Sequence, residues 1–164
     1  MLPLELQQYI HERIPLSKAM AVAVISVEKD AVILQAPLGP NINHRDTVFG
    51  GSAAALAILA GWALLHVRLH AEGIASRLVI QRNTMEYQRP IPGTFTARSM
   101  LERPDRWQQF TAVLARRGRA RAKVSAVLEH SALIVGSFSG DFVALGASAG
   151  KLSPHHHLAD LDHR

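Results

Sequence analysis

The sequence predicts an α+β fold: a curved antiparallel sheet wrapped around one long central helix, with a short helix in front. Three observations carry this. The run Ala53 to Leu65 is apolar nearly all round, which marks a helix that must be covered on most sides. The chain after it reads as strands, most clearly over Arg119 to Glu129. There Ala120, Ala122, Val124, Ala126 and Leu128 face one way, while Arg121, Lys123, Ser125 and Glu129 face the other. A single apolar helix beside antiparallel strands is buried when the sheet curls around it.

Each element follows in order. Leu4, Leu6, Tyr9, Ile10 and Ile14 fall at helical spacing between Pro3 and Pro15, giving a short amphipathic leading helix. Met20 to Val27 and Val32 to Pro37 read as strands joined by a tight turn at Glu28-Lys29-Asp30. Leu38 to Gly51 is polar and turn-rich and opens into the apolar helix, which stops near Gly73 as a C′ residue. Arg77 to Arg89 reads as a strand, closed by the turn Pro90-Ile91-Pro92-Gly93. Thr94 to Glu102, Trp107 to Arg117, Arg119 to Glu129 and Ala132 to Leu145 continue as strands, with Gly136 and Gly140 marking bends or bulges. One domain is expected over 1–145, and 146–164, small, polar and His-rich, is expected to be a disordered tail.

Composition narrows the function classes. At 164 residues, 48% apolar and 19% charged, the chain has the make-up of one soluble domain rather than a disordered one. The absence of Cys removes a thiol nucleophile and a Cys-based zinc site, and fits a reducing compartment. Met1 to Ser17 carries Glu5, Glu12 and Arg13 and lacks a signal-peptide core. The apolar run is shorter than the ~20 residues of a spanning helix. A cytoplasmic location without a membrane partner is therefore expected. The net charge of +5 points to an anionic partner, but with 5% aromatics and no recognition motif, nucleic acid is not the expected one.

The chemistry is concentrated at Asn41-Ile-Asn43-His44-Arg-Asp46-Thr47-Val-Phe49-Gly50-Gly51-Ser52. Polar side chains precede two glycines at the mouth of a helix. Glycine lets a ligand approach the backbone, and the first helical amides have no internal partner. Such a mouth binds an anion or polarises a carbonyl under attack. A plain alternative is that Gly50-Gly51 only provides a tight turn and close packing. The residues alone leave both readings open.

The run Asn43-His44-x-x-Thr47-x-Phe49-Gly50-Gly51-Ser52, then Leu59-Ala60-Gly61-Trp62, then Tyr87-x-x-Pro90, resembles the thioesterase domain found at the C-terminus of YiiD-type proteins. That domain is a branch of the hotdog thioesterases, and the resemblance spans 1–145. It implies a hotdog fold and at least a homodimer, with tetramers or larger assemblies also found. It further implies hydrolysis of acyl thioesters carried by coenzyme A or acyl carrier protein. No cofactor or metal is implied beyond the coenzyme A or phosphopantetheine of the substrate itself.

The resemblance carries over residue by residue. Asn43, Thr47, Gly50 and Gly51 match the catalytic stretch of phenylacetate-type hotdog thioesterases, but Phe49 stands where that subgroup has His. Those enzymes also place a carboxylate about two turns into the helix, whereas this chain has no Asp or Glu between Thr47 and Ala71. Asp46 or His44 can serve as base instead, or Asn43 can orient water. Asn83 or Glu86 can also reach across a dimer. The expected catalytic set is therefore Asn43, His44, Asp46 and Gly51. Thr47, Phe49, Gly50, Ser52, Asn83 and Arg89 are expected to bind substrate.

Other residues have plainer readings. Asp46 can simply charge or cap the helix start, and Trp62 and Phe49 can be packing residues. His66 and His70 sit at i, i+4 without a companion carboxylate and read as a solvated helix end. His155 to His157 read as an adventitious metal binder. Ten Arg against three acids lie between Arg77 and Arg121, a surface for coenzyme A phosphates or an acidic carrier, or else a solvated sheet face. Two other functions compete with hydrolysis: a non-catalytic acyl-thioester-binding module and a hydroxyacyl-thioester dehydratase.

Overall fold

The chain opens on helix α1 (Pro3–Arg13), which starts at a proline because the first helical position needs no amide donor. The Glu5 carboxylate accepts from Leu2 N at 2.7 Å. A computed structural model describes residues 1–146, so all but the first residue of the expected tail, including His155 to His157, lies outside the described residues. A one-turn helix α2 (Pro15–Ala19) follows, and the chain turns through Ala21 at φ 53. Met20 to Val22, expected to start the first strand, thus belong to this helical turn. Strand β1 (Ala23–Val27) pairs with β2 (Ala31–Ala36).

Helix α3 (Gly50–Ala71) is 22 residues long and outruns the apolar stretch that announced it. Its mean hydropathy of 1.6 would suit a membrane span, yet much of it is enclosed by the protein. Leu56, Ala57, Ala60, Leu64 and Leu65 are fully buried. Small residues let the sheet come close: a Cβ on Gly61 would lie 3.0 Å from the Phe142 ring and 3.3 Å from Val124. The helix ends as predicted at Gly73, whose φ of 68 favours glycine.

The remaining strands are β3 (Ser76–Tyr87), β4 (Phe95–Leu101), β5 (Arg119–His130) and β6 (Leu133–Gly146). All six pair antiparallel in the order β1-β2-β4-β5-β6-β3, and α3 packs against β2 through β6. Ala120, Val124, Ala126 and Leu128 face inward as their alternation required. Buried Ser99 on β4 ties helix to sheet, its hydroxyl lying 2.8 Å from Ala60 O and 3.2 Å from Val32 O. Gly136 lies where the β5–β6 register slips, and a Cβ there would meet Glu86 O at 2.9 Å. Gly140 instead lies against the rings of Phe138 and Phe142.

One element differs from expectation. Trp107 to Arg117, read as a strand, is helix α4 (Trp107–Arg117). Trp107, Phe110 and Leu114 are buried at i, i+3 and i+7, the period of a helix. Gly118 closes it at φ 65, with Leu114 O accepting from Gly118 N. Trp107 donates through Nε1 to Glu72 and lies 4.3 Å under the Arg68 guanidinium, so α4 docks at the C-terminal end of α3. His66 also differs from expectation, being half-buried and stacked against both Tyr9 of α1 and Trp62, each ring centroid 4.7 Å away, rather than solvated.

Two predictions follow from this packing. Phe110→Ala and Leu114→Ala should each cost about 2–4 kcal/mol in urea unfolding, while exposed Ala115→Ser stays within about 0.5. Equal effects at all three positions would contradict the helix. Burial, and then the neighbouring His70, hold the His66 pKa below its ordinary 6.5. The unfolded chain then binds a proton that the folded chain does not. Stability should be complete above about pH 6.5 and decline as pH falls below it. His66→Phe should flatten that decline in melts recorded across pH; an unchanged slope would show that other groups cause it.

Candidate functional site

The loop before α3 is built by two asparagines. Asn41 is buried, and its amide donates to Met20 O at 2.9 Å and Pro37 O at 2.8 Å, which fixes the loop to the end of the helical arm. Its backbone carbonyl accepts from Phe49 N at 2.7 Å and so sets where the helix begins. Asn43 braces the turn itself. Its Nδ2 donates to Thr47 Oγ1 at 3.0 Å and Val48 O at 3.3 Å, while Oδ1 accepts from Arg45 N at 2.8 Å and Thr47 N at 3.3 Å. An Asn side chain that bonds its own loop this way holds a turn in place of backbone bonds.

The turn delivers the chain to the start of α3. Phe49 is the N-cap, and no side chain caps the helix, Asp46 included. Ala53 N donates to Phe49 O, which leaves the amides of Gly50, Gly51 and Ser52 as the first-turn donors without a helical partner. They stand at the positive end of the helix dipole. The Phe49 ring, 58% exposed, lies over Gly51, where a Cβ would come within 2.3 Å of it.

Beside this mouth is a cleft of about 330 Å³ lined by Thr47, Gly50, Ala53, Tyr87, Gln88 and Arg89, with Val48, Pro90 and Ile91 completing it. It is formed where the β3–β4 turn comes back to the loop, joined by Val48 N donating to Ile91 O at 2.9 Å. Tyr87 donates its hydroxyl to Gly50 O at 3.0 Å, linking the end of β3 to the first residue of the helix.

The structure therefore brings together Thr47, Gly50 and Arg89 in the cleft, with Gly51, Ser52 and Phe49 at its edge. It does not bring in the others. His44 and Asp46 are exposed on the outer turn and do not line the cleft, and Asp46 occupies the left-handed region at φ 58. Asn83 sits exposed in mid-β3 opposite Gly140, outside the cleft of its own protomer. Tyr87 and Gln88 are lining residues to which the sequence reading gave no role. Tyr87 was legible only as part of Tyr87-x-x-Pro90, because its contact depends on a chain reversal 37 residues downstream of Gly50.

The arginine-rich stretch is divided by the fold. Arg89 lies at the cleft, whereas Arg103, Arg106, Arg116 and Arg117 flank or lie on α4, at the other end of α3. A helix of 22 residues is about 33 Å long, so the two groups are not one surface.

Comparisons with known proteins bear on the family and the fold. The family model described as Putative thioesterase (yiiD_Cterm) matches residues 4–146. A protein of unknown function from Chlorobaculum tepidum TLS superposes with a TM-score of 0.81 at 28% identity, over 88% of this chain and 97% of its own. A thioesterase candidate from Shewanella oneidensis superposes with a TM-score of 0.78 at 25% identity, over 87% and 96%. A thioesterase from Haemophilus influenzae shares the hotdog fold at 14% identity, with a TM-score of 0.73 over 95% and 96%.

Asn43→Ala should loosen the loop and cost about 1–2 kcal/mol, since several bonds are lost from a partly buried turn. Asn43→Asp, which keeps the acceptor but loses the donor, should cost less. Denaturant midpoints check this, and an unchanged midpoint in Asn43→Ala would remove its bracing role.

Proposed function

The chain belongs to the YiiD C-terminal family of putative thioesterases, and on that premise we propose that it hydrolyses an acyl thioester of coenzyme A or of an acyl carrier protein. The observation that carries this reading is the uncapped first turn of α3 beside a cleft that sets Thr47, Tyr87 and Arg89 among apolar residues. Amides fixed at a helix start are aimed where negative charge develops on a carbonyl oxygen.

In this mechanism the thioester oxygen accepts from Gly51 N–H, assisted by Ser52. Thr47 Oγ1, held by Asn43, steadies a water that attacks the carbonyl carbon. Asp46 and His44 stand outside the cleft, so the water's proton passes to solvent through the open cleft, and the C–S bond breaks to release a thiolate. A thiolate leaves without a strong acid, which suits a helix with no Asp or Glu between Thr47 and Ala71. Asn43 is then a positioning residue. Arg89 meets a phosphate of the carrier, and Phe49 shields the carbonyl.

A homodimer, or a larger assembly, completes the proposal. Among the described residues β3 is an edge strand of 12 residues that pairs with β6 alone, and both its faces are largely exposed. A long open edge of this kind is a template for a second copy. Pairing there would carry Asn83 and Glu86 toward the partner. The lack of Cys supports a cytoplasmic setting. The missing helix carboxylate favours, as a second reading, a module that binds acyl thioesters without cleaving them.

Thiol release from a panel of acyl-coenzyme A esters tests the reading. Turnover is expected, with Asn43→Ala slowed about tenfold or more. Arg89→Ala should raise KM about tenfold for coenzyme A esters, the worth of one charge-assisted bond. It should leave KM unchanged for N-acetylcysteamine thioesters, which lack phosphates. Tight binding without thiol release would favour the second reading.

A further inference from the structure

Helix α4, docked at the C-terminal end of α3, leaves a cavity of about 220 Å³ between itself and the sheet. Leu101, Trp107 and Phe110 give it apolar walls. Arg103, Arg106, Arg121 and Lys123 also line it, against a single carboxylate, Asp141. The local geometry gathers the cations. A 3₁₀ turn (Pro104–Arg106) leads into α4, and residues three apart in such a turn stand over one another, which puts Arg103 and Arg106 on one side. Arg121 and Lys123 share one face of β5, two residues apart. A neighbouring hollow of about 200 Å³ shares Arg106, Phe110 and Arg121 with the first, so these two arginines stand where the hollows meet.

The charges around the cavity do not balance. Arg103 is closed on Asp105 by two bonds, of 2.9 and 3.1 Å. Lys123 has Glu102 at 3.8 Å. Asp141 lies opposite Lys123 on β5 and Arg82 on β3, between two cations. The side chains of Arg106 and Arg121 have no ion-pair or hydrogen-bond partner among the described residues. Two guanidiniums thus line one opening with an apolar floor behind them. Each is a planar fork that matches the oxygens of phosphate or carboxylate. A pair of them is neutralised by one phosphate monoester, which carries close to two charges at neutral pH, whereas a carboxylate carries one.

We propose that this cavity is a second ligand site, which takes the phosphate monoester of a small ring-bearing molecule. The phosphate bridges Arg106 and Arg121, and the ring lies against Leu101, Trp107 and Phe110. The volume fits, since a cavity of ~150 Å³ takes benzene and the remaining space lies toward the rim, where the phosphate sits. The site stands apart from the cleft at Arg89, because α3, about 33 Å long, separates them. It is therefore independent of the chemistry at the α3 mouth. A ligand held there ties α4 to the sheet, and binding to the folded chain alone raises its melting temperature.

Calorimetry on the full chain with phenyl phosphate tests this. Binding is expected with a Kd on the order of a millimolar or tighter at low salt. Methyl phosphate, which lacks the ring, should bind about tenfold more weakly. Benzoate, which keeps the ring but has one charge, should also bind about tenfold more weakly. Arg106→Ala and Arg121→Ala should each weaken phenyl phosphate about tenfold or more, and Arg106→Lys, which keeps the charge but not the fork, should weaken it less. Arg89→Ala should leave its affinity unchanged. Affinity should fall as pH drops below about 6, where the monoester loses its second charge. Arg106 and Arg121 are exposed, so their variants should fold, and melting curves without ligand confirm it.

Absence of phenyl phosphate binding would overturn the site. So would equal affinity for methyl phosphate, the mark of a surface that collects any anion, or full affinity in both alanine variants. Weakened binding in Arg89→Ala would place the ligand in the cleft instead and overturn the proposal. Coenzyme A carries a phosphate monoester of its own, so its binding is measured on the same variants. An affinity for coenzyme A unchanged by Arg106→Ala would support a separate ligand. A loss of about tenfold would assign the cavity to the nucleotide of coenzyme A and overturn it.

Discussion

Everything in this molecule depends on hiding a helix that is apolar nearly all round. α3 cannot present a polar face to water, so the protein surrounds much of it with a six-stranded sheet and a helical arm. The approach is close because the helix is rich in Ala and because Gly61 lets Phe142 and Val124 pack on its backbone. Ser99 binding Ala60 O fastens the two layers with a bond that is itself buried. Close packing of this kind tolerates little change in volume.

Burying the helix also exposes its beginning. The sheet covers the body of α3, but the loop that enters it reaches the surface at the rim, and its first amides are left uncapped. Asn41 and Asn43 hold that entry from opposite sides, one to the helical arm and one within the turn. The same rim receives the end of β3 through Tyr87. The cleft that holds Thr47 and Arg89 thus opens beside the first turn of the helix.

Much of this was legible in the residues. A helix apolar nearly all round, followed by alternating strands, leaves few folds open. The Asn43 to Ser52 stretch located the mouth. What was not legible depended on tertiary contact or on competing periodicities. Trp107 to Arg117 has β-branched and aromatic residues that suit a strand, and only burial of Phe110 and Leu114 reveals the helical period. His66 looked solvated because nothing in its own helix shows that Tyr9 covers it. Asn43 looked like a ligand to water, yet its amide is occupied by its own loop. The arginines formed one cluster along the chain but two in space, because α3 separates α4 from the cleft.

The central claim is that first-turn amides of α3 polarise a thioester carbonyl. Isotope-edited infrared spectroscopy addresses this directly, with a coenzyme A ketone analogue that replaces the thioester sulfur by methylene and carries carbon-13 at the carbonyl. Bound to the protein, the carbonyl band should move to lower frequency than in water, as expected for an oxygen accepting from fixed donors. A band at or above its frequency in water would contradict the account.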